Sequence, residues 1–259
     1  MRNETKIVTI FTILIVMLGG LFFYKNIKIV GNPPVFNTFS STNQIISFGG
    51  DDVNIKVEPI VSNMPDLEKP IIINAKLSGE EKQKIIKKIQ EIKDILKMTP
   101  NSFDNWIELG SYEKLAGDFD GTIDVWVYAS KIAPLNIVPL NNLGNLYHYD
   151  LKNYPKAEEY FQKAIKTLPS DVNSYINLFD LYNLSYKQET SEAEKVLLEG
   201  LKNIPNQINF LVMLADYYEN KNNLKNAIIY YEKAVEQAKK MNNKNLESEI
   251  NQKISELKK

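Results

Sequence analysis

The sequence of 259 residues contains no cysteine and a single histidine, His148. The first absence removes disulfides, thiolate nucleophiles, cysteine-ligated zinc and the acylated cysteine with which a bacterial lipoprotein begins. With one imidazole and no thiolate, the usual nitrogen and sulfur ligands of a transition metal cannot be assembled. His148 is also the only ordinary base near neutral pH, and no Ser or Thr on a strained turn stands beside it to serve as a nucleophile. The phosphate-cradling patterns GxxxxGK[ST] and GxGxxG are missing, as is the metal motif HExxH. Charge of one sign is equally scarce: 31 Lys and Arg stand against 32 Asp and Glu, so no overall field draws the chain to nucleic acid. Acidic neighbours such as Glu158 and Glu159 lie among lysines at helical spacing and read as solvated faces. These absences describe a chain that is not an enzyme and needs no cofactor or metal. They also leave no place for nucleic acid or a small-molecule substrate.

What the chain does hold begins with residues 7–24, IVTIFTILIVMLGGLFFY, eighteen residues without a charge. As a helix this run would be about 27 Å long, against a hydrocarbon core of about 30 Å. Only Thr9 and Thr12 interrupt it, so a water-facing helix would lack a polar side. Arg2 and Lys6 resemble the positive region of a signal peptide, but no small-x-small cleavage site precedes Lys25, which favours an uncleaved anchor. Flanking positive charge is nearly tied, with Arg2, Lys6 and the amino terminus before the run and Lys25 and Lys28 after it. A short tail, one span and a long soluble region favour the tail (1–6) inside. The expectation is a single-pass protein of a bacterial cytoplasmic membrane with its bulk on the extracytoplasmic side. Residues 25–77 carry Pro33, Pro34, Pro59, Pro65 and Pro70 and runs such as NTFSSTNQ and FGGDD. Without a sustained 3.6-residue period they read as an extended or disordered linker.

Beyond Ser78 the prolines become regular: Pro100, Pro134, Pro169 and Pro205 are 34, 35 and 36 residues apart. Spacings of this size signal stacked structural repeats. Each proline follows a helical apolar pattern, and aligning on them superposes four units over residues 101–240. The first carries Trp106, Leu109, Gly110, Phe119, Trp126, Ala129 and Pro134. The second carries Leu140, Leu143, Gly144, Tyr147, Ala157, Phe161, Ala164 and Pro169. The third carries Tyr175, Leu178, Tyr182, Ala193, Leu197, Gly200 and Pro205, and the fourth Leu211, Leu214, Ala215, Tyr218, Ala227, Tyr231 and Ala234.

This pattern resembles the tetratricopeptide repeat family, which implies two antiparallel helices per unit. Glu113 and Thr122 stand where that family has Tyr and Ala, Phe179 replaces a small residue, and the fourth unit lacks a closing proline. One and two extra residues precede the second helices of the second and third units. Capping helices are predicted over 78–100, where Ser78 and Glu81 form a capping box and Ile85, Ile89, Ile92 and Leu96 share a face, and over 241–259, with Leu246, Ile250, Ile254 and Leu257. The predicted fold is all-α, a tetratricopeptide-type solenoid of about ten helices following one transmembrane helix and a poorly structured linker.

In the second unit, Asn141, Asn145 and His148 form a stripe turned away from Leu140, Leu143 and Tyr147. The resemblance implies that this face of each first helix lines a concave groove. Alignment stacks it into rows: Ser111, Asn145, Asp180 and Asp216; Glu108, Asn142, Asn177 and Met213; Lys114, His148, Asn183 and Glu219. Some members of the family hold an extended peptide by its backbone through asparagines, and Asn142 and Asn177 match that arrangement. Asparagine is also frequent throughout this chain, so a merely solvated face stands beside the groove reading. Only Lys114 is basic in these rows, which argues against the carboxylate-clamping partners of the family. Asp180, Asp216 and Glu219 favour neutral or basic segments. The expected function is a membrane-anchored scaffold for a protein or peptide, either an adaptor in assembly of an envelope complex or a chaperone-like accessory for newly translocated chains.

Overall fold

The computed structural model describes residues 14–17, 20–23 and 64–259, which fall into two units, 1–59 and 60–259. In the first unit Leu14–Met17 and Gly20–Phe23 pair as antiparallel strands, with Leu14 opposite Phe23. These eight positions lie within the run expected to form a membrane helix. The rest of residues 7–24, and the linker through residue 63, lie outside the described residues. No helix among the described residues is long and apolar enough to cross a membrane.

The described residues of the second unit form ten α-helices. They are α1 (Gly79–Met98), α2 (Phe103–Ala116), α3 (Phe119–Ile132), α4 (Val138–Asn145) and α5 (Tyr154–Thr167), then α6 (Val172–Asp180), α7 (Glu192–Asn203), α8 (Ile208–Asn220), α9 (Leu224–Lys240) and α10 (Lys244–Leu257). The capping box at Ser78 is present: its side chain accepts from the Glu81 amide while Glu81 accepts from the Ser78 amide.

The regular prolines act through the residue before them, which a following proline excludes from helical backbone angles. Thr99, Ala133, Leu168 and Ile204 each end a helix with φ between −137° and −129° and ψ between 67° and 84°. Where the fourth unit has no proline, α9 continues for 17 residues. Turns inside the units are equally local in origin. Gly117, Lys152, Asn222 and Asn242 take positive φ, and the next residue, Asp118, Asn153, Asn223 or Asn243, caps the following helix through its side chain. Several of the asparagines are thus spent on turns.

Close helix approach sets the pairing within units. A Cβ on Gly110 would lie 2.3 Å from Trp126 Nε1, and one on Gly144 would lie 2.3 Å from Phe161 Cε1. The third unit departs from this: bulky Phe179 stands at the corresponding position and meets Tyr217 of the fourth unit edge-on, while Gly200 on its second helix packs under Phe210 of the fourth unit. Buried rings also tie the first unit to the preceding cap and the third unit to the second through polar bonds. Trp106 Nε1 donates to Pro100 O at 2.8 Å and the Tyr175 hydroxyl donates to Pro169 O at 3.2 Å.

Two departures from regularity matter for the site. The first helices of the second and third units continue past α4 and α6 as single π-helical stretches, Leu146–Asp150 and Leu181–Ser185. One extra residue per turn is absorbed inside the helix there, in a form often found at functional positions. The second departure is at the end of the linker. Residues 65–75 turn at Leu67 and Glu68 and then lie without helix or strand against α1, α2 and α3, with Leu67 buried and the amides of Asn74 and Ala75 both donating to Ala116 O at 2.8 and 2.9 Å. This part of the linker is packed structure rather than free spacer.

Candidate peptide groove

The first helices of the central units, α4 and α6, touch directly. Between them Asn141 Nδ2 donates to Ser174 Oγ at 3.0 Å, and Ser174 Oγ donates to Asp171 Oδ2 at 2.7 Å. Asn141 therefore fixes one unit to the next, and its amide is committed. His148 goes further from the expected exposed stripe. It is 1% exposed, its Nε2 lies 2.9 Å from Ser185 Oγ, and its ring stacks on Tyr149 with centroids 4.0 Å apart. The π-helical turn rotates this position inward, so the expectation that His148 touches a partner is corrected: it staples the two π-helical stretches. Burial, aided by the nearby Lys152 charge, lowers its pKa, which keeps the imidazole neutral at neutral pH.

The charged members of the rows are largely satisfied within the chain. Lys114 pairs with Asp150 at 2.9 Å, and Glu108 with Lys88 at 3.0 Å. At the far end Lys253, from α10, reaches Asp216 at 3.0 Å, Glu219 at 3.3 Å and the Tyr231 hydroxyl at 2.9 Å. The Tyr231 hydroxyl also contacts Asp216 and lies 2.7 Å from Glu219. Those contacts hold the Lys253 ammonium charged, pushing its pKa up, first through Tyr231 and then through Asp216. The acidity expected at Asp216 and Glu219 is thus compensated internally. Ser111 is satisfied by Ile107 O at 2.9 Å, and Met213 packs against the core.

A different set is left over. Asn142, Asn145, Asn177, Asp180 and Asn183 are half-buried, and among the described residues no hydrogen bond or ion pair engages their side chains. Among the described residues no lysine or arginine forms an ion pair with Asp180, and burial raises its pKa. Leu197 takes the repeat position that in the next unit holds Tyr231, and Asp216 takes the row position corresponding to Lys253. Asp180 consequently lacks both partners that Asp216 has. Beside it Tyr149, 50% exposed, has a raised pKa, from burial first and then from the Asp180 charge. These side chains offer amide donors and acceptors around one uncompensated carboxylate, which suits an extended backbone carrying a cationic side chain.

Sequence reasoning missed Lys253, Ser174 and Ser185. Lys253 was legible, since it extends the row of Asp216 into the capping helix. Ser174 and Ser185 were not, because their roles depend on cross-unit contacts and on the π-helical turns. Among the described residues no group of three or more His, Cys, Asp or Glu is placed to hold a metal ion.

With this geometry in place, comparison with known proteins is informative about fold. Residues 140–168 and 208–241 each match the tetratricopeptide repeat family. The crystal structure of the C-terminal part of a TPR repeat-containing protein from Cytophaga hutchinsonii superposes with a TM-score of 0.53 at 20% identity, covering 69% of this chain and 71% of that one. MamA gives 0.49 at 20% identity over 63% of this chain and 94% of its own. PilW, described as a widely conserved type IV pilus biogenesis factor, gives 0.44 at 19% identity over 68% and 86%. No curated protein matches in sequence. The chain carries tetratricopeptide repeats, and the Cytophaga likeness shows a shared solenoid fold.

Proposed function

We propose that this chain is a protein-binding scaffold whose groove, centred on α4 and α6, receives an extended peptide segment bearing a lysine or arginine. The observation that carries this reading is the unengaged set Asn142, Asn145, Asn177 and Asn183 around the uncompensated Asp180. Elsewhere in the same rows, charges are paired off within the chain. A half-buried carboxylate without a cation is costly to leave so, and an incoming ammonium or guanidinium restores the balance. The internal contact of Lys253 with Asp216 and Glu219 is a precedent in this chain for a lysine seated on the same row.

The solenoid is displayed from a cytoplasmic membrane on the extracytoplasmic side, anchored by residues 7–24. Support for the anchor is the uncharged eighteen-residue run. Within this reading the chain acts as an adaptor in assembly of an envelope complex, since residues 25–64 give reach away from a bilayer. A photocrosslinker in place of Asn145 tests the groove: one or two stable partners are expected for an adaptor, many unrelated chains for a chaperone-like accessory. Capture that is unchanged when Asp180 becomes Asn, or equal capture from Lys131 on the second helix of a unit, would sink the groove reading. Protease treatment of intact cells tests topology, and a protected solenoid would reject the localisation.

A further inference from the structure

Segment 65–75 lies over a cavity of about 100 Å³. Its walls come from the segment itself (Pro65, Lys69, Ile71), from α1 (Ile89, Lys93), from α2 (Glu113) and from the start of α3. Glu113 is 8% exposed and its Oε2 has no hydrogen-bond partner. A family tyrosine is replaced here by a carboxyl group, buried in the position where a ring would pack. Further carboxylates surround the cavity: Asp118 capping α3, Asp120 and Asp124 from α3 and Asp66 from the segment. A Cβ on Gly121 would lie 2.6 Å from Asp118 Oδ2 and 3.1 Å from Glu113 Oε2, which places the two carboxyl groups close together.

Opposing them are two lysines. Lys93 is 4% exposed and donates to Lys69 O of the segment at 2.9 Å, and Lys69 pairs with Asp124 at 3.4 Å. These cations are already held by other partners, so neither hydrogen-bonds Glu113. Burial, reinforced by Asp118, lifts the Glu113 carboxyl to about 7, with Lys93 drawing it back.

We propose that residues 65–75 form a proton-gated strap, docked while Glu113 carries its proton and released as that carboxyl ionises. Undocking opens the cavity and hydrates Glu113, so the undocked form tolerates the charge that the docked form resists. Because the strap ends at the capping box of α1, its release loosens the junction between the linker and the solenoid. The docked form binds one more proton than the undocked form between pH 4.5 and about 7. Docking therefore weakens as pH rises through that window and levels off above it, by on the order of a hundredfold in total.

The absence of native cysteine makes the test direct. Spin labels at Ile72→Cys in the strap and Leu135→Cys in the turn after α3 report strap position by double electron–electron resonance in the full chain. The measurement is made at pH 5 and pH 7.5, in the parent sequence and with Leu67→Ala, which removes the buried strap anchor and brings both states into range. The undocked-to-docked ratio is expected to rise at least tenfold between these pH values, and Glu113→Gln is expected to flatten the change. A ratio that is the same at both values in both backgrounds overturns the proposal. So does a Glu113→Gln chain that responds like the parent, or a parent strap undocked throughout.

Discussion

Replacing Gly110 with Ala places a methyl group 2.3 Å from Trp126 Nε1 and 2.6 Å from its Cδ1. The indole cannot retreat without losing its hydrogen bond to Ile107 O at 3.2 Å. Overpacking of this kind costs about 1–3 kcal/mol. Alanine also removes the conformational cost of glycine in a helix, a gain of about 0.5–1 kcal/mol. The expected net loss is about 1–2 kcal/mol, or a melting point lower by about 3–6 °C for a domain of this size. Both tryptophans of the chain, Trp106 and Trp126, lie in this unit, so urea unfolding followed by tryptophan emission reads the damage locally. Gly79→Ala is the control, because a Cβ there meets nothing within 4 Å. Trp126→Leu should partly rescue Gly110→Ala, since the smaller side chain vacates the space that the indole fills against residue 110. A favourable coupling of about 1 kcal/mol or more is expected from that double-mutant cycle. Refutation would be a Gly110→Ala chain as stable as the parent, or a cycle with no coupling.

Three further outcomes follow from the same geometry. The single histidine gives one clean imidazole signal by proton NMR, and its midpoint should lie below 6.5 in the folded chain and return to the ordinary value in urea. A group depressed in this way supports stability above pH 6.5, and that contribution is lost as pH falls below it. Glu113 acts in the opposite direction: with its carboxyl raised from 4.5 to about 7, about 3 kcal/mol of stability present below pH 4.5 is lost as pH rises to 7. Glu113→Gln should remove that slope from denaturation midpoints measured between pH 5 and 8. Lys253→Met should cost about 1 kcal/mol or less, since the groups it joins are partly exposed, and should make melting less sensitive to salt.

The fold was readable because its determinants are local. Proline spacing, the capping box at Ser78 and Glu81, and the small residues Gly110 and Gly144 each act on neighbours close in sequence, and the helix count follows from them. The candidate site was only partly readable, because its character depends on which groups the fold pairs off. His148 shares the sequence spacing of Asn145, yet a π-helical turn buries it. Asp180 and Asp216 occupy one row, yet Lys253 compensates only the second. Asn141 reads like Asn142 in the sequence, and only the cross-unit bond to Ser174 separates them. Packing of the strap over Glu113 was hidden for a similar reason: a proline-rich stretch without helical period says nothing about what it lies against.

The central claim is that Asp180, within its unengaged asparagines, seats a basic side chain of a bound segment. Selecting binders from a random dodecapeptide library on the immobilised chain, then measuring affinity by calorimetry, tests this directly. The account predicts sequences sharing a lysine or arginine at one fixed position, weakened about tenfold or more by Asp180→Asn and little by Asp216→Asn. Selected peptides with no shared basic position, or peptides indifferent to Asp180→Asn, would contradict it.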